Sequence, residues 1–228
     1  MKPRSERVLL AGPVGRIEAA IDHPGMQPRG WALVGHPHPL FGGTADNKVV
    51  TTLSRAFLAL GWIAVRPNFR GVGASEGAHD EGRGETDDFL YLAQAVPKLP
   101  QCAGLPAEAA LPALAGFSFG SFVAACAAQR LAARGRPARA LVLVGTAAGK
   151  WAVPPADPAS IVIHGEADET VPLAAVLDWA RPGGVPVIVL PGADHFFHRR
   201  LAQLKEIVVR NLVGAARAGA AGAGGGGD

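Results

Sequence analysis

Apolar residues in this chain fall into short dense runs, separated by stretches in which they recur every three or four positions. Residues 7–11 and 16–21 are two strand-like segments joined at Gly12-Pro13, a hairpin opening. Residues 30–35, Gly-Trp-Ala-Leu-Val-Gly, form a compact apolar run ending at prolines, the mark of a strand buried on both faces. Across 47–60, Val49, Val50, Leu53, Phe57 and Leu60 keep helical spacing, and Gly61 ends the helix. Residues 62–66 give a strand stopped by Pro67, and a glycine-rich loop then leads to a helix around 87–96. The alternation continues with a strand at 110–115, a helix at 118–133, strands at 139–144 and 160–164, a helix at 173–180, a strand at 185–190 and a helix at 196–212. Such an order predicts the α/β class: antiparallel N-terminal strands, then a mostly parallel sheet with helices on both faces. One domain is expected over 1–213. From Gly214 the composition collapses to Ala and Gly with one Arg and a terminal Asp, too little apolar surface to offset the entropy of ordering, so 214–228 reads as a disordered tail.

Composition narrows the partners. At 228 residues and 49% apolar, the chain can bury a core without disulfides or a metal. The net charge of +3 comes from scattered basic residues, and the short pair Arg199-Arg200 has no interleaved aromatics. This argues against a nucleic-acid partner and leaves the charge a solubility role. The two cysteines, Cys102 and Cys126, have no metal-like spacing, and a reduced, intracellular setting is the default. After Lys2, Arg4 and Arg7 the apolar run covers only residues 8–11. A signal core needs about 7–15 apolar residues and a membrane span about 20. The expected location is therefore the cytoplasm, with no membrane partner.

The pattern G-x-S-x-G occurs twice, at Gly116-Phe117-Ser118-Phe119-Gly120 and at Gly73-Ala74-Ser75-Glu76-Gly77. A nucleophilic serine of this kind needs a strand, a sharp turn and a helix, with glycines letting the chain pass without collision. Ser118 has an apolar strand before it and an alanine-rich helix after it, whose N-terminus also favours an oxyanion. Ser75 follows Pro67 and precedes a charged stretch, so it reads as a loop serine. Ser118 is the candidate nucleophile.

Seven histidines compete for the role of base. His195 follows the last strand through Pro191-Gly192-Ala193-Asp194, a loop at the position the element order predicts, and His198, placed one turn into the final helix, is the alternative. An imidazole acting as base needs a carboxylate to fix its tautomer. Glu166, Asp168 and Glu169 crowd the loop after the strand at 160–164, and the residues themselves leave the three open.

These segments carry a resemblance. His164-Gly165-x-x-Asp168-x-x-Val171-Pro172 resembles the acid loop of α/β-hydrolases, and Gly192-Ala193-Asp194-His195-Phe196-Phe197 resembles their histidine loop. The stretch Asn68-Phe69-Arg70-Gly71-Val72-Gly73-Ala74-Ser75-Glu76-Gly77 is similar to their aromatic-Arg-Gly-x-Gly-x-Ser loop. His36-Pro37-His38-Pro39-Leu40-Phe41-Gly42-Gly43-Thr44, followed by Asn47-Lys48-Val49-Val50, is similar to a group of short lid-less bacterial serine hydrolases of carboxylesterase or dienelactone-hydrolase type. Over residues 7–213 the resemblance implies the triad Ser118, Asp168 and His195, which selects Asp168 among the three acids. It also implies an oxyanion hole made by the backbone N–H of Phe119 and of His38 or Leu40, because Pro37 and Pro39 have no N–H.

The chemistry that follows is acyl transfer to Ser118 and hydrolysis of small acyl esters, with thioesters, lactones, amides or a non-water acceptor open to the same triad. A non-catalytic binding scaffold is the reading from another class. Between the strands at 139–144 and 160–164 the chain is too short for a lid, so an open site is expected. Leu40, Phe41, Trp151 and Phe196, with Phe119, are candidate pocket residues. His36, His38, His164 and His195 suggest zinc at first sight, but no Cys or fixed carboxylate completes a set. The glycine loop at 71–77 lacks the Lys-Ser/Thr ending of a phosphate-binding loop. No metal or other cofactor is expected.

Overall fold

A computed structural model describes residues 2–106 and 109–222, and side chains as far as residue 214. Among the described residues, eight strands form one sheet in the order β1-β2-β4-β3-β5-β6-β7-β8. The hairpin β1 (Arg4–Gly12) and β2 (Gly15–His23) is antiparallel, and β2 joins β4 (Trp62–Pro67) antiparallel. The remaining neighbours are parallel: β3 (Gly30–Gly35), β4, β5 (Ala113–Phe117), β6 (Ala140–Val144), β7 (Ile161–Gly165) and β8 (Val187–Leu190).

The continuous apolar runs are explained by cover on both faces. Because side chains alternate across a strand, Leu33 and Val162 enter one core while Val34 and Ile163 enter the other. The first core packs beneath α2 (Arg83–Ala95), α3 (Phe119–Ala132) and α4 (Leu173–Ala180), through Phe89, Val123 and Val176 among others. The second lies beneath α1 (Lys48–Ala59) and α5 (Leu201–Gly222), through Leu53, Phe57, Leu204 and Val208. A buried ion pair, Arg66 Nε to Asp22 Oδ2 at 2.6 Å, ties the hairpin to the parallel part, and Ser54 Oγ of α1 donates to the same carboxylate at 2.5 Å.

Several boundaries differ from those expected. The fifth strand starts at Ala113 rather than residue 110, because Pro112 has no N–H for the ladder. Helix α2 starts at Arg83, four residues early. Glu85 reaches back to the Gly82 N–H at 2.8 Å and so caps a turn that hydrophobic spacing does not reveal. The last helix starts at Leu201 instead of Phe196, since Phe197 and Arg199 hold left-handed backbones at φ 53° and 60°. His198 thus lies in a turn, not in the helix. The same helix runs on to Gly222, into the segment read as a tail, as alanine's high helix propensity favours; residues 223–228 lie outside the described residues.

Between β6 and β7 there is no inserted helix, only loop with a single bridge between Ala148 and Trp151. The indole N–H of Trp179 on α4 donates to the carbonyls of Val153 (3.1 Å) and Pro154 (3.2 Å), tying this connection down against the body of the protein. No helix among the described residues is long and apolar enough to cross a membrane.

Candidate active site

All the loops that carry candidate chemistry leave the carboxyl ends of parallel strands, so they gather at one edge of the sheet. Ser118 sits between β5 and α3 with φ 54° and ψ −122°, a strained conformation for a residue with a side chain. Its N–H is held by the Val144 carbonyl at 2.9 Å, and its own carbonyl receives Ser121 Oγ at 2.5 Å. The flanking glycines are required by space. A Cβ on Gly116 would lie 2.0 Å from the Gly120 oxygen, and one on Gly120 would lie 2.4 Å from the Gly35 carbonyl carbon.

The hydroxyl of Ser118 lies 3.0 Å from His195 Nε2, and His195 Nδ1 lies 2.6 Å from Asp168 Oδ2. Ser118 is half-buried, while His195 and Asp168 are buried. The other oxygen of Asp168 accepts the N–H groups of Thr170 (2.9 Å) and Val171 (2.7 Å). Burial pushes the Asp168 carboxyl up, but the donors from His195 and Val171 outweigh it and hold the group below the ordinary carboxylate range. It is therefore the ionised partner the imidazole needs. Gly145, at φ 55°, lies under the ring: a Cβ there would come within 3.2 Å of His195 Cε1.

The competing residues are employed elsewhere. Glu166 accepts the Gly192 N–H at 2.8 Å, bracing the histidine loop by its backbone, and Glu169 is exposed. His198 pairs with Asp194 at 2.6 Å on the surface. Ser75 is buried, receives the Glu18 N–H at 3.0 Å and donates to the Asn68 carbonyl at 2.8 Å. Arg70 in the same loop makes a two-pronged pair with Asp88 of α2, both arms 2.9 Å.

In the loop after β3, His36 is buried and pairs with the Phe69 N–H at 2.9 Å through Nε2 and with the Pro37 carbonyl at 2.6 Å through Nδ1. Burial lowers its pKa to about 4, so it stays neutral. The ring of His38 packs between Phe119 (5.0 Å), His79 (4.7 Å), Trp151 (5.7 Å) and Phe41 (4.8 Å), and its Nδ1 accepts the Leu40 N–H at 3.2 Å. Leu40 and Phe41 are 71% and 86% exposed, and Phe196 is 45% exposed, so these three stand at the rim rather than in a closed pocket. No group of three metal-ligating side chains converges among the described residues. A cavity of about 540 Å³ lined by Ala128, Arg139, Ala156 and Ile161 opens at the amino ends of β6 and β7, the edge of the sheet opposite Ser118.

Two arrangements escaped the sequence reading. His79 Nδ1 pairs with the wholly buried Glu85 at 2.8 Å beside His38, and His164 touches Asp168. For His164 a signal was present: it is the one ionisable residue in the apolar run of β7, and such a residue must find a polar partner.

A serine, imidazole and carboxylate in relay, on a strained elbow of a mostly parallel sheet, define a serine hydrolase with α/β-hydrolase architecture. No family model matches the chain. A solved α/β serine hydrolase without lid from Xanthomonas campestris is 36% identical, over 92% of this chain and 94% of that one, with a TM-score of 0.79. An alpha-beta serine hydrolase homologue from Coxiella burnetii is also 36% identical, over 91% and 97%, with a TM-score of 0.75. An uncharacterized protein of Rickettsia prowazekii is 37% identical over 122 residues, 52% of this chain and 47% of that protein, so the match spans about half of that relative. This chain belongs to the α/β serine hydrolases without a lid.

Proposed function

We propose that the protein hydrolyses small acyl esters through an acyl-enzyme on Ser118. His195 Nε2 takes the hydroxyl proton as Oγ attacks the carbonyl carbon, and the ionised Asp168 stabilises the imidazolium that forms. The oxyanion is received by the N–H groups of Phe119 and His38, with the positive end of α3 behind them. Leu40 is the poorer second donor, since its N–H is already engaged by the His38 ring. His195 then protonates the departing alcohol, and water repeats the sequence to release the acid and restore Ser118.

The single observation that carries this reading is the relay of 3.0 and 2.6 Å ending on a half-buried serine. Small substrates are favoured by the tied-down β6–β7 connection, which leaves the site uncovered, with Leu40, Phe41, Trp151 and Phe196 as apolar walls for the acyl group. A cytoplasmic setting fits two unbridged thiols, both pushed up to about 11 by burial. Two measurements test the proposal. A fluorophosphonate probe labels the protein and fails to label Ser118→Ala. On p-nitrophenyl esters the rate is highest for short acyl chains and does not jump at micelles; a strict preference for long chains with such a jump overturns the small-ester reading.

A further inference from the structure

His164 ends a run of apolar residues in β7 and is fully buried. Its Nε2 lies 2.9 Å from the Val171 carbonyl and 3.3 Å from Asp168 Oδ2. Its Nδ1 is buried and has no hydrogen-bond partner among the described residues. A buried N–H without an acceptor costs more than a bare lone pair, so the proton belongs on Nε2 and the ring is neutral. Burial, which pushes the His164 pKa down, keeps it so, against the weaker upward pull of Val171 and Asp168. The titratable groups facing this ring are Asp168 on the following loop and His195 on the loop after β8. Asp194 and His198, next along that second loop, pair with each other at the surface.

Nε2–H is therefore a fixed neutral donor to the Val171 carbonyl, and it lies 3.3 Å from the very carboxylate oxygen that receives His195 Nδ1–H. The backbone donors of Thr170 and Val171 hold only the other oxygen, Oδ1. We propose that His164 is a positioning residue of the triad: its Nε2–H holds the Val171 carbonyl of the acid loop, and the positive end of that N–H, 3.3 Å from Oδ2, offsets part of the charge there, which tempers the pull of Asp168 on His195. The proposal builds on the triad reading above and adds a fourth side chain to it.

Removing the donor leaves more negative charge facing His195, which favours its imidazolium, and releases the Val171 carbonyl of the loop that carries Asp168. The test compares His164→Met, which fills the space without a donor, with His164→Gln, whose amide N–H reaches the position of Nε2. By NMR of the resting protein, the His195 ring in His164→Met titrates about 0.5 pH units or more above wild type and its Nδ1–H resonance moves, while His164→Gln returns both toward wild type. On a short ester, kcat of His164→Met falls about tenfold with KM little changed, and His164→Gln recovers most of it. If His164→Met does not fold, His164→Asn replaces it, since its shorter amide cannot reach the position of Nε2. An unmoved His195 titration, or equal losses in the Met (or Asn) and Gln variants, overturns the proposal. The NMR measurement needs no substrate. A wild-type protein that hydrolyses no ester while the His195 shift appears as stated defeats the ester reading and leaves this inference standing.

Discussion

The two G-x-S-x-G segments share a pattern and almost nothing else. Ser118 stands at φ 54° on a turn between a central strand and a helix, half-buried, with its hydroxyl facing an imidazole. Ser75 lies buried in the loop after β4, its hydroxyl committed on both sides to backbone groups of Glu18 and Asn68. In the first, backbone strain presents a reactive group. In the second, two hydrogen bonds use the group up as a rivet between β2 and the loop. Five residues of sequence cannot separate these fates; the flanking elements do.

The largest effect expected from breaking this comparison is in turnover. Ser118→Ala should lower ester hydrolysis by about 10⁴-fold or more and leave the protein folded, as steady-state rates and circular dichroism will show. Ser75→Ala should leave kcat within about twofold, and a loss comparable to that of Ser118→Ala would defeat the division drawn here. The flanking glycines sharpen the contrast in stability. Gly120→Ala drives a Cβ to 2.4 Å from the backbone of Gly35, which cannot give way, and should cost about 3 kcal/mol or more in urea unfolding. Gly77→Ala comes under 3.0 Å only of a movable Val14 methyl, at 2.9 Å, with Arg70 side-chain carbons at ordinary contact, and carries the strain of φ 84°, so about 1 kcal/mol is expected. Between these two, Ser75→Ala strips two partners from buried groups and should cost about 2 kcal/mol, seen in the same urea unfolding as a change of midpoint with the slope unchanged.

Much of this organisation was legible in the sequence. The continuous apolar runs of β3 and β4 announced strands covered on both faces, and Asn47 before Val49-Val50 marked the start of α1, where its side chain accepts the Val49 N–H at 2.9 Å. Ser118 and His195 were readable because strand and loop context reinforced their motifs. Asp168 was not separable from Glu166 and Glu169 by residue type alone. The choice depends on where each carboxylate is held: Glu166 by the Gly192 N–H, Asp168 by backbone donors that aim it at the ring. The start of α5 was misplaced for a related reason, since nothing in Phe196-Phe197-His198-Arg199-Arg200 announces two left-handed residues. The pairing of His79 with Glu85 and the contact of His164 with Asp168 depend on loop closure in three dimensions, which hydrophobic periodicity does not encode.

The strand that carries the histidine loop, β8, is four residues long and lies at the outer margin of the sheet, with β7 as its sole neighbour, whereas the strand before Ser118 is flanked on both sides. Transient fraying at a margin demands less than opening the middle of a sheet. On warming, the general base should therefore drift away from an otherwise intact nucleophile, and the useful lifetime of this catalyst will be governed by its periphery while its interior is still in order.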